Sequence, residues 1–481
     1  MRRTKIVATL GPACDREGVL ENMVAAGIDV VRLNLSHGTH DEHRGRVTAV
    51  REAARRQGRD VGVLIDLQGP KIRIESFRDG TVELVEGAEF TLDVSLAPDA
   101  GTAEHVGVAY KSLPDDVVAG DTLVLADGEI ALSVLDVEGP RVRCRVTAGG
   151  TLSDHKGLNR RGGGLSAEAL TPKDRKDIVL AAELDADYLA LSFPREAADV
   201  ERGRRLLREA GGEAAVVAKI ERAEAVTNLE SIVEASDAVM IARGDLAVEI
   251  GDAALPGVQK RIVQTARERN TIVITATQMM ESMVTSPVPT RAEILDVANA
   301  VLDGSDAVML SEETAVGRHP VKVVEAMARV CLGAEAEPLT SRMRRAEDTH
   351  FGRVDETIAM ASMYIAHHLV DVRALVALTE TGTTALYLSR INSDIPIYAL
   401  TRHEHTRRRM TLYRGVHPVA FADDPAADNV LADIAATLVG RGAVGPEDVI
   451  LVTRGQMRRV SGRTNTLHLI RVGDMLPAAS K

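Results

Sequence analysis

The sequence predicts an α/β protein built on a (β/α)₈ barrel, with a small β-barrel inserted after the third strand and an open α/β domain at the C-terminal end. Three observations support this prediction. Short apolar runs alternate with amphipathic stretches, which is the pattern of βα units. The alternation breaks once, for about a hundred residues that read as β segments, and resumes after a polar stretch. At 481 residues the chain is long enough for about three domains.

Eight apolar runs are the predicted strands of the barrel. They are KIVAT near Lys5, DVVRLN ending at Asn34, VGVLID ending at Asp66, YLALSF ending at Phe193, AVVAKIE ending at Glu221, AVMIARGD ending at Asp245, TIVITAT ending at Thr277 and AVMLSEE ending at Glu313. Most are separated by helical patterns such as PGVQKRIVQTARERN, in which apolar residues recur three and four positions apart. Eight strands with crossover helices favour a closed barrel over an open sheet.

The break in the alternation lies between the third run, which ends at Asp66, and the fourth, which begins at Tyr188. From Gly69 to about Ala167 the chain reads TVELV, EFTLDV, TLVLADGEIALSVL and RVRCRVTAGG, with Gly, Pro and Asp at turn positions. We therefore predict a barrel domain over 1–69 and 168–337, with an inserted β-barrel domain over 70–167.

The last third of the chain predicts a separate domain. The polar stretch EPLTSRMRRAED follows the eighth run and its helix and is typical of a linker. From about Thr357 the alternation resumes with RALVALT, PIYALT, VHPVAF and DVILVT. These runs predict an open α/β domain within 338–481.

Composition excludes several classes of function. The net charge of −12 disfavours general binding of nucleic acid or anionic membranes, so an anion site must be local. With 2% aromatics and no Trp, base-stacking surfaces are not expected. No apolar run is long enough for a signal sequence or a membrane span. Cys14, Cys144 and Cys331 are far apart, which fits a reducing compartment. We expect a cytoplasmic protein.

Polar residues collect where the predicted strands end. In a (β/α)₈ barrel these ends meet at one mouth, where active sites lie. The residues are Arg32, Asn34, Asp66, Lys219, Glu221, Arg243, Asp245, Thr277, Ser311 and Glu312. A single polar residue at a strand end is usually a solvated cap, but this explanation does not account for so many strands at once.

Lys219, Glu221 and Asp245 are the residues that predict the chemistry. Lys219 and Glu221 are two positions apart on an extended segment and so share one side of it. Glu221 and Asp245, from neighbouring strands, suit Mg²⁺ or Mn²⁺, which retain waters and take substrate oxygens. With Arg32 nearby, the mouth predicts an anionic substrate, most naturally a phosphate. The structural alternative is a buried ion-pair cluster that stabilises the barrel.

The chain has no GxxxxGK[ST] phosphate loop and no glycine-rich loop with a downstream HRD motif. Instead, a set of segments resembles pyruvate kinase, in order and over nearly the whole chain. They are TKIVATLGPA, VRLNLSHGTH, LIDLQGPKIR, AKIERAEAV, ARGDLAVEI, ATQMMESM, PTRAEILDVANAVLDGSDAVMLS and ETAVG. KGLNRRGGGLSAEALTPKD and DLQGPK are similar to the bacterial type A branch.

The resemblance implies transfer of the phosphoryl group of phosphoenolpyruvate to ADP, giving pyruvate and ATP. It also implies a homotetramer, an inserted domain that closes over the site and excludes water, and a C-terminal domain that binds an activator. Two other classes stay open: a metal-dependent lyase or mutase without an ADP site, and a catalytically silent metabolite sensor. Arg73 and Lys156 favour the kinase over the lyase, and the retained mouth residues disfavour the sensor.

The resemblance also implies a role for each matched residue. By family pattern Lys219 stabilises the transferring phosphoryl group and the enolate, and Glu221 and Asp245 hold Mg²⁺. The substrate carboxylate would meet Arg243, Gly244, Asp245 and Thr277, with Thr277 near the route that protonates the enolate. Arg32 would bind the phosphate. The implied nucleotide-binding residues are Asn34, Leu35, Ser36, His37, Arg73 and Lys156.

The C-terminal domain contains an implied effector loop. Thr379, Glu380, Thr381, Gly382, Thr383 and Thr384 follow RALVAL and precede a helix. Amides and hydroxyls at a helix start attract anions, although ordinary threonine capping explains the loop better when the loop is considered alone. The family's effector domain implies a phosphorylated metabolite: a sugar monophosphate, a bisphosphate or AMP.

Three features depart from the common family pattern. Arg160 and Arg161 stand where many relatives carry Leu-Pro, and Glu312 stands where Gly or Ala is usual. Lys71 follows Gly69-Pro70, where relatives that need K⁺ carry Glu. In those relatives Asn34, Ser36, Asp66 and the carbonyl of Leu67 would correspond to the K⁺ site. The ammonium of Lys71 carries the same charge as K⁺ and would offset Asp66 and the negative charge of the substrate, so K⁺ would not be required. The alternative is that Lys71 points to solvent.

Overall fold

A computed structural model of the chain describes residues 1–337, 351–391, 393–422, 429–455, 462 and 464–476. The predicted linker EPLTSRMRRAED lies almost wholly outside the described residues. No helix in the described part of the chain is both long and apolar enough to cross a membrane.

The strands are numbered here in chain order. They are β1 (Lys5–Thr9), β2 (Val30–Asn34), β3 (Gly62–Asp66), β4 (Thr81–Leu84), β5 (Glu89–Asp93), β6 (His105–Gly107), β7 (Thr122–Leu125), β8 (Ile130–Glu138), β9 (Arg141–Ala148), β10 (Gly150–Ser153), β11 (Leu158–Arg160), β12 (Tyr188–Leu191), β13 (Ala215–Ile220), β14 (Ala238–Ala242), β15 (Ile272–Ala276), β16 (Ala307–Leu310), β17 (Val372–Leu378), β18 (Ile397–Thr401), β19 (Val416–Ala420), β20 (Val449–Gly455) and β21 (Thr464–Arg471).

The α-helices are numbered in the same way. They are α1 (Val19–Ala26), α2 (His40–Arg56), α3 (Leu113–Asp116), α4 (Pro172–Glu183), α5 (Ala197–Glu209), α6 (Ala223–Thr227), α7 (Leu229–Ala235), α8 (Arg243–Ile250), α9 (Leu255–Glu268), α10 (Arg291–Asp303), α11 (Glu312–Ala315), α12 (Pro320–Ala336), α13 (Val354–His368), α14 (Thr383–Arg390), α15 (Glu404–Met410), α16 (Val430–Gly440) and α17 (Val472–Met475).

Eight parallel strands close into the predicted barrel, in the order β1, β16, β15, β14, β13, β12, β3, β2. All eight predicted runs are strands of this barrel. Every residue of β13, β14 and β15 is buried, as expected where helices cover the outer face of a barrel and side chains fill its interior. The register pairs Lys219 with Met240 and Ala242 with Ala276, which brings the ends of these three strands to one level.

The inserted segment forms two sheets around one apolar core. Six strands lie in the order β11, β7, β8, β9, β5, β6, and β10 pairs with β4 as a separate ribbon. Leu84 and Leu152 from the ribbon are buried in the same cluster as Phe90 and Leu132 from the larger sheet. The predicted TVELV, EFTLDV and RVRCRVTA segments are strands, and TLVLADGEIALSVL divides into β7 and β8.

The C-terminal segment forms an open five-stranded sheet in the order β19, β18, β17, β20, β21. The first four of these strands are the predicted ones, and they pair in parallel. The last strand, β21, pairs antiparallel with β20 and was not predicted.

By internal contacts the chain divides into two compact units. One comprises Asn34–Thr39 and Ile65–Gln278, and the other comprises Met1–Leu33, His40–Leu64 and Met279–Lys481. Most predicted site residues fall in the first unit. The finer domain boundaries given above stay a prediction.

Candidate active site

Lys219 and Glu221 meet at the end of β13. The Nζ atom of Lys219 lies 2.9 Å from Oε1 of Glu221, so the two side chains share one side of the strand, as their spacing predicts. Nζ also lies 3.3 Å from Oδ1 of Asp66, the last residue of β3. One ammonium therefore contacts two buried carboxylates.

The other oxygen of Glu221 is fixed by the backbone. The Phe193 amide donates to Oε2 of Glu221 at 2.8 Å, and Phe193 has a φ of +58°, which is uncommon outside glycine. Burial raises the pKa of Glu221 to about 7; Lys219 opposes this shift, and the neighbouring Asp245 and Asp66 add to it. Glu221 thus lies in a buried pocket with two further carboxylates close enough to contribute to its raised pKa.

Ser192 is a site residue that the sequence analysis missed. The Nζ atom of Lys219 donates to Oγ of Ser192 at 2.7 Å, and that hydroxyl donates to the carbonyl of Leu67 at 2.7 Å. The available signal was its position, because Ser192 is the first residue after β12, where the other strands also carry polar side chains.

Arg243, Gly244 and Thr277 form a second cluster, at the ends of β14 and β15. Thr277 has a φ of +66°, an outlying conformation for a β-branched residue. Its Oγ1 accepts from the Gly244 amide at 2.9 Å and donates to the carbonyl of Ala276 at 2.7 Å. Arg243 donates to the carbonyls of Ala276 and Thr277. Arg243 therefore positions the strained Thr277 backbone.

Lys71 contacts Asp245. Its Nζ atom lies 3.3 Å from Oδ1 of Asp245 and 3.9 Å from Oδ1 of Asp127, which belongs to the inserted segment. The expectation that Lys71 offsets Asp66 thus needs correcting: the ion pair observed for Asp66 is with Lys219, and that of Lys71 is with Asp245. The alternative that Lys71 simply points to solvent is also wrong.

The predicted nucleotide residues lie in two places. Asn34, Leu35, Ser36 and His37 form a turn after β2, in which Oδ1 of Asn34 accepts from the Ser36 amide at 3.1 Å. Arg73 and Lys156 lie on neighbouring stretches of the inserted segment, where the Ile74 amide donates to the carbonyl of Lys156 at 3.0 Å. The Arg73 backbone bridges to Gly157, and its guanidinium donates to the carbonyl of His155 at 2.8 Å.

Arg32 lies on β2 in the other unit. It is buried, and its Nη1 atom donates to Oγ1 of Thr9 at 3.0 Å.

Glu312, whose role was left open, is exposed and begins the short helix α11. The adjacent Glu313 is the buried carboxylate and accepts from the Met280 amide.

The site fits a divalent cation that takes few protein ligands. No cluster of three or more His, Cys, Asp or Glu side chains that could hold a metal ion occurs within the described ranges. Glu221 and Asp245 supply only carboxylate oxygens, and burial is the main cause of the raised pKa of Glu221, with the nearby Asp245 and Asp66 adding to it. Mg²⁺ suits such a pair because it prefers oxygen and retains several waters.

The predicted effector loop precedes α14. Gly382 has a φ of +86°, and its amide donates to Oγ1 of Thr379 at 2.9 Å. Oγ1 of Thr381 and Oγ1 of Thr383 are 2.9 Å apart. Thr384 is buried and shares a hydrogen bond with Thr464. The Glu380 carboxylate pairs with His403 at 2.6 Å.

The fold and the site define a (β/α)₈-barrel enzyme for anionic substrates. Residues 1–324 match the family model "Pyruvate kinase, barrel domain", and residues 356–470 match "Pyruvate kinase, alpha/beta domain". The chain belongs to the pyruvate kinase family. It is a phosphotransferase that converts phosphoenolpyruvate and ADP to pyruvate and ATP.

Individual pyruvate kinases are similar to this chain over nearly its full length. Pyruvate kinase II of Salmonella typhimurium is 54% identical over 477 residues, which cover 98% of this chain and 99% of that protein. A pyruvate kinase of Haemophilus influenzae is 51% identical, covering 95% and 96%. The crystal structure of a pyruvate kinase from Cryptosporidium parvum superposes with a TM-score of 0.92 at 33% identity and covers 98% of this chain and 96% of that one.

Proposed function

We propose that Lys219, Glu221 and Asp245 form the phosphoryl-transfer centre of this enzyme. The observation that carries the proposal is the position of the Lys219 ammonium, 2.9 Å from Glu221 and 3.3 Å from Asp66 at the strand ends. A cation fixed in this way is available to stabilise charge that develops on a transferring phosphoryl group and on the enolate. Because Ser192 and Asp66 already orient the ammonium, it needs little reorganisation during the reaction.

We propose that Glu221 and Asp245 hold Mg²⁺ or Mn²⁺. When bound, the cation would neutralise charge on the phosphoryl group and orient substrate oxygens. The Phe193 amide keeps Oε2 of Glu221 in place, while Oε1 faces the Lys219 ammonium. The ammonium of Lys71 lies beside the Asp245 carboxylate and offsets part of its negative charge.

We assign the substrate carboxylate to the Gly244, Asp245 and Thr277 cluster, with Arg243 in a supporting role. The backbone amides in the first turn of α8 are suited to bind an anion. One of them, the Gly244 amide, donates to the Thr277 hydroxyl. The Thr277 hydroxyl also has a carbonyl partner, Ala276, through which its proton is oriented. This supports Thr277 as part of the route that protonates the enolate.

The remaining assignments rest on the family pattern. They place Asn34, Leu35, Ser36, His37, Arg73 and Lys156 at the nucleotide, Arg32 at the phosphate, and the loop from Thr379 to Thr384 at a phosphorylated activator. They also include a homotetramer, a cytoplasmic location and activity without K⁺. The three buried free cysteines of the described residues support the location, and the contact of Lys71 with Asp245 supports the absence of a K⁺ requirement.

A coupled assay of pyruvate formation from phosphoenolpyruvate tests this centre. Pyruvate should appear only when ADP and Mg²⁺ or Mn²⁺ are both present. Pyruvate formed without ADP would indicate the lyase chemistry considered above. No turnover with any activator would indicate a metabolite sensor.

A further inference from the structure

The inserted segment returns to the barrel through three consecutive glycines. Gly162, Gly163 and Gly164 follow β11 and have φ values of +86°, +81° and +99°. Only glycine adopts such a run at low cost. Residues 158–165, called the return segment below, begin two positions after Lys156.

Two barrel side chains hold the end of the return segment. Oε1 of Glu224 accepts from the Gly164 amide at 2.6 Å. Nη2 of Arg222 donates to the carbonyl of Leu165 at 2.6 Å. Arg222 and Glu224 also pair with each other at 3.4 Å, so the two contacts support one another.

Glu249 holds the start of the glycine run. Its backbone carbonyl accepts from the Gly162 amide at 2.8 Å. Its buried carboxylate accepts from the Ala223 amide at 2.9 Å and lies 3.9 Å from Nε of Arg222. The return segment is thus joined to two barrel elements at once.

Gly163 leaves the space that the carboxylate of Glu224 occupies. A Cβ atom on Gly163 would lie 2.6 Å from Oε2 of Glu224, which is closer than real Cβ contacts occur. Arg160, one of the departures noted in the sequence, pairs instead with Asp121 of the inserted segment at 2.8 Å, and Arg161 is exposed. The extra arginines therefore do not replace the barrel contacts.

The three holding residues lie beside the proposed metal ligands in sequence. Arg222 follows Glu221 directly, Glu224 lies three positions after Glu221, and Glu249 is on α8, which carries Asp245 in its first turn. We propose that Arg222, Glu224 and Glu249 are positioning residues, a hinge clamp that fixes the return segment and thereby places Lys156 for the nucleotide. The inference rests on the nucleotide role proposed for Lys156.

Glu224 is the most suitable residue for the test because it is partly exposed and makes the shortest contact with the glycine run. Glu224→Ala removes the acceptor of the Gly164 amide, whereas Glu224→Gln keeps an oxygen acceptor. Glu168→Gln is the matched control, since Glu168 pairs with Arg202 at 3.3 Å on the surface. Two quantities are measured: amide hydrogen exchange of residues 162–165, and the KM for ADP beside kcat and the KM for phosphoenolpyruvate.

We expect Glu224→Ala to raise exchange in the return segment by on the order of tenfold, because a hydrogen bond to a charged group is lost. The KM for ADP should rise several-fold while the KM for phosphoenolpyruvate stays unchanged, and Glu224→Gln should restore most of both. Lys156→Ala should raise the KM for ADP without changing the exchange of residues 162–165.

Unchanged exchange and unchanged KM for ADP in Glu224→Ala would overturn the clamp. So would faster exchange with an unchanged KM for ADP, if Lys156→Ala does raise that KM. If neither Glu224→Ala nor Lys156→Ala changes the KM for ADP, the nucleotide assignment of Lys156 fails, and the positioning role falls with it. Equal effects in Glu168→Gln would show that any loss of surface charge is sufficient, which also contradicts the proposal.

Discussion

The ammonium of Lys219 lies 2.9 Å from the carboxylate of Glu221, and both side chains are buried. In this environment a lone carboxylate would favour its protonated form, and burial does raise the pKa of Glu221 to about 7. The pair therefore combines a fixed positive charge with a carboxylate whose charged form a further cation would stabilise. This combination is useful for phosphoryl transfer and costly if it serves only the barrel.

Glu221→Gln and Asp245→Asn should each raise the Mg²⁺ concentration that gives half-maximal activity, by about tenfold or more. Each change removes one anionic oxygen ligand from a site that has few. Metal titrations of the rate at saturating substrates measure the effect. If both variants keep the metal dependence of the unmodified enzyme, the divalent cation binds elsewhere.

Activity should not require K⁺, because Lys71 supplies a positive charge 3.3 Å from Asp245. Lys71→Glu should create a requirement for K⁺ and lower the rate without it by on the order of tenfold or more. Rates are compared with potassium and with tetramethylammonium as the only monovalent cation. A strict potassium requirement in the unmodified enzyme would refute this assignment.

The loop from Thr381 to Thr384 should bind the phosphate of an activator that favours the active state. Rate curves for phosphoenolpyruvate should then be sigmoidal, and replacement of Thr383 and Thr384 by Val should remove the activator's effect on half-saturation. Thr384→Val alone is a necessary comparison, since Thr384 also bonds to buried Thr464. Activation that survives the double change would place the effector site elsewhere.

Lys5 predicts a pH dependence of stability. Its Nζ atom donates to the carbonyl of Val416 at 2.7 Å, and burial lowers its pKa to about 8, against the opposing effect of Asp29. The folded state therefore favours the neutral amine, so this group's contribution to stability rises as the pH increases from about 8 towards the unfolded value of 10.5. Methionine does not titrate, so Lys5→Met should remove this increase of stability with pH.

Melting temperatures of Lys5→Met and the unmodified enzyme at about pH 7.5 and about pH 9.5 test this sign. The difference, variant minus unmodified, should be more positive at the lower pH, by about 2–4 °C. The same difference at both pH values would show that Lys5 does not titrate in this range.

The barrel strands were predictable because their runs are buried on both faces and so are continuously apolar. Four other strands, β6, β10, β11 and β21, were not predicted. The strands β6 and β11 have three residues each and β10 has four, while β21 mixes buried, intermediate and exposed positions, with Leu469 half exposed. None of the four presents a continuous apolar run.

Lys219, Glu221 and Asp245 could be predicted as a cluster because the ends of parallel strands meet at one mouth. The carboxylate that pairs with Lys71 could not be predicted, because the path of the chain after Pro70 decides whether the ammonium reaches Asp66 or Asp245. The supporting role of Arg243 was also inaccessible, because it follows from the backbone conformation of Thr277.

The most direct test of the account is the kcat of Lys219→Met at saturating substrates and Mg²⁺, with Lys176→Met, an exposed lysine on α4, as control. Circular dichroism should show an intact fold in both variants. The account predicts that Lys219→Met loses on the order of 10² to 10³ in kcat, because one electrostatic stabiliser of the transition state is removed. A rate within about tenfold of the unmodified enzyme would contradict the assignment of Lys219 to the phosphoryl-transfer centre.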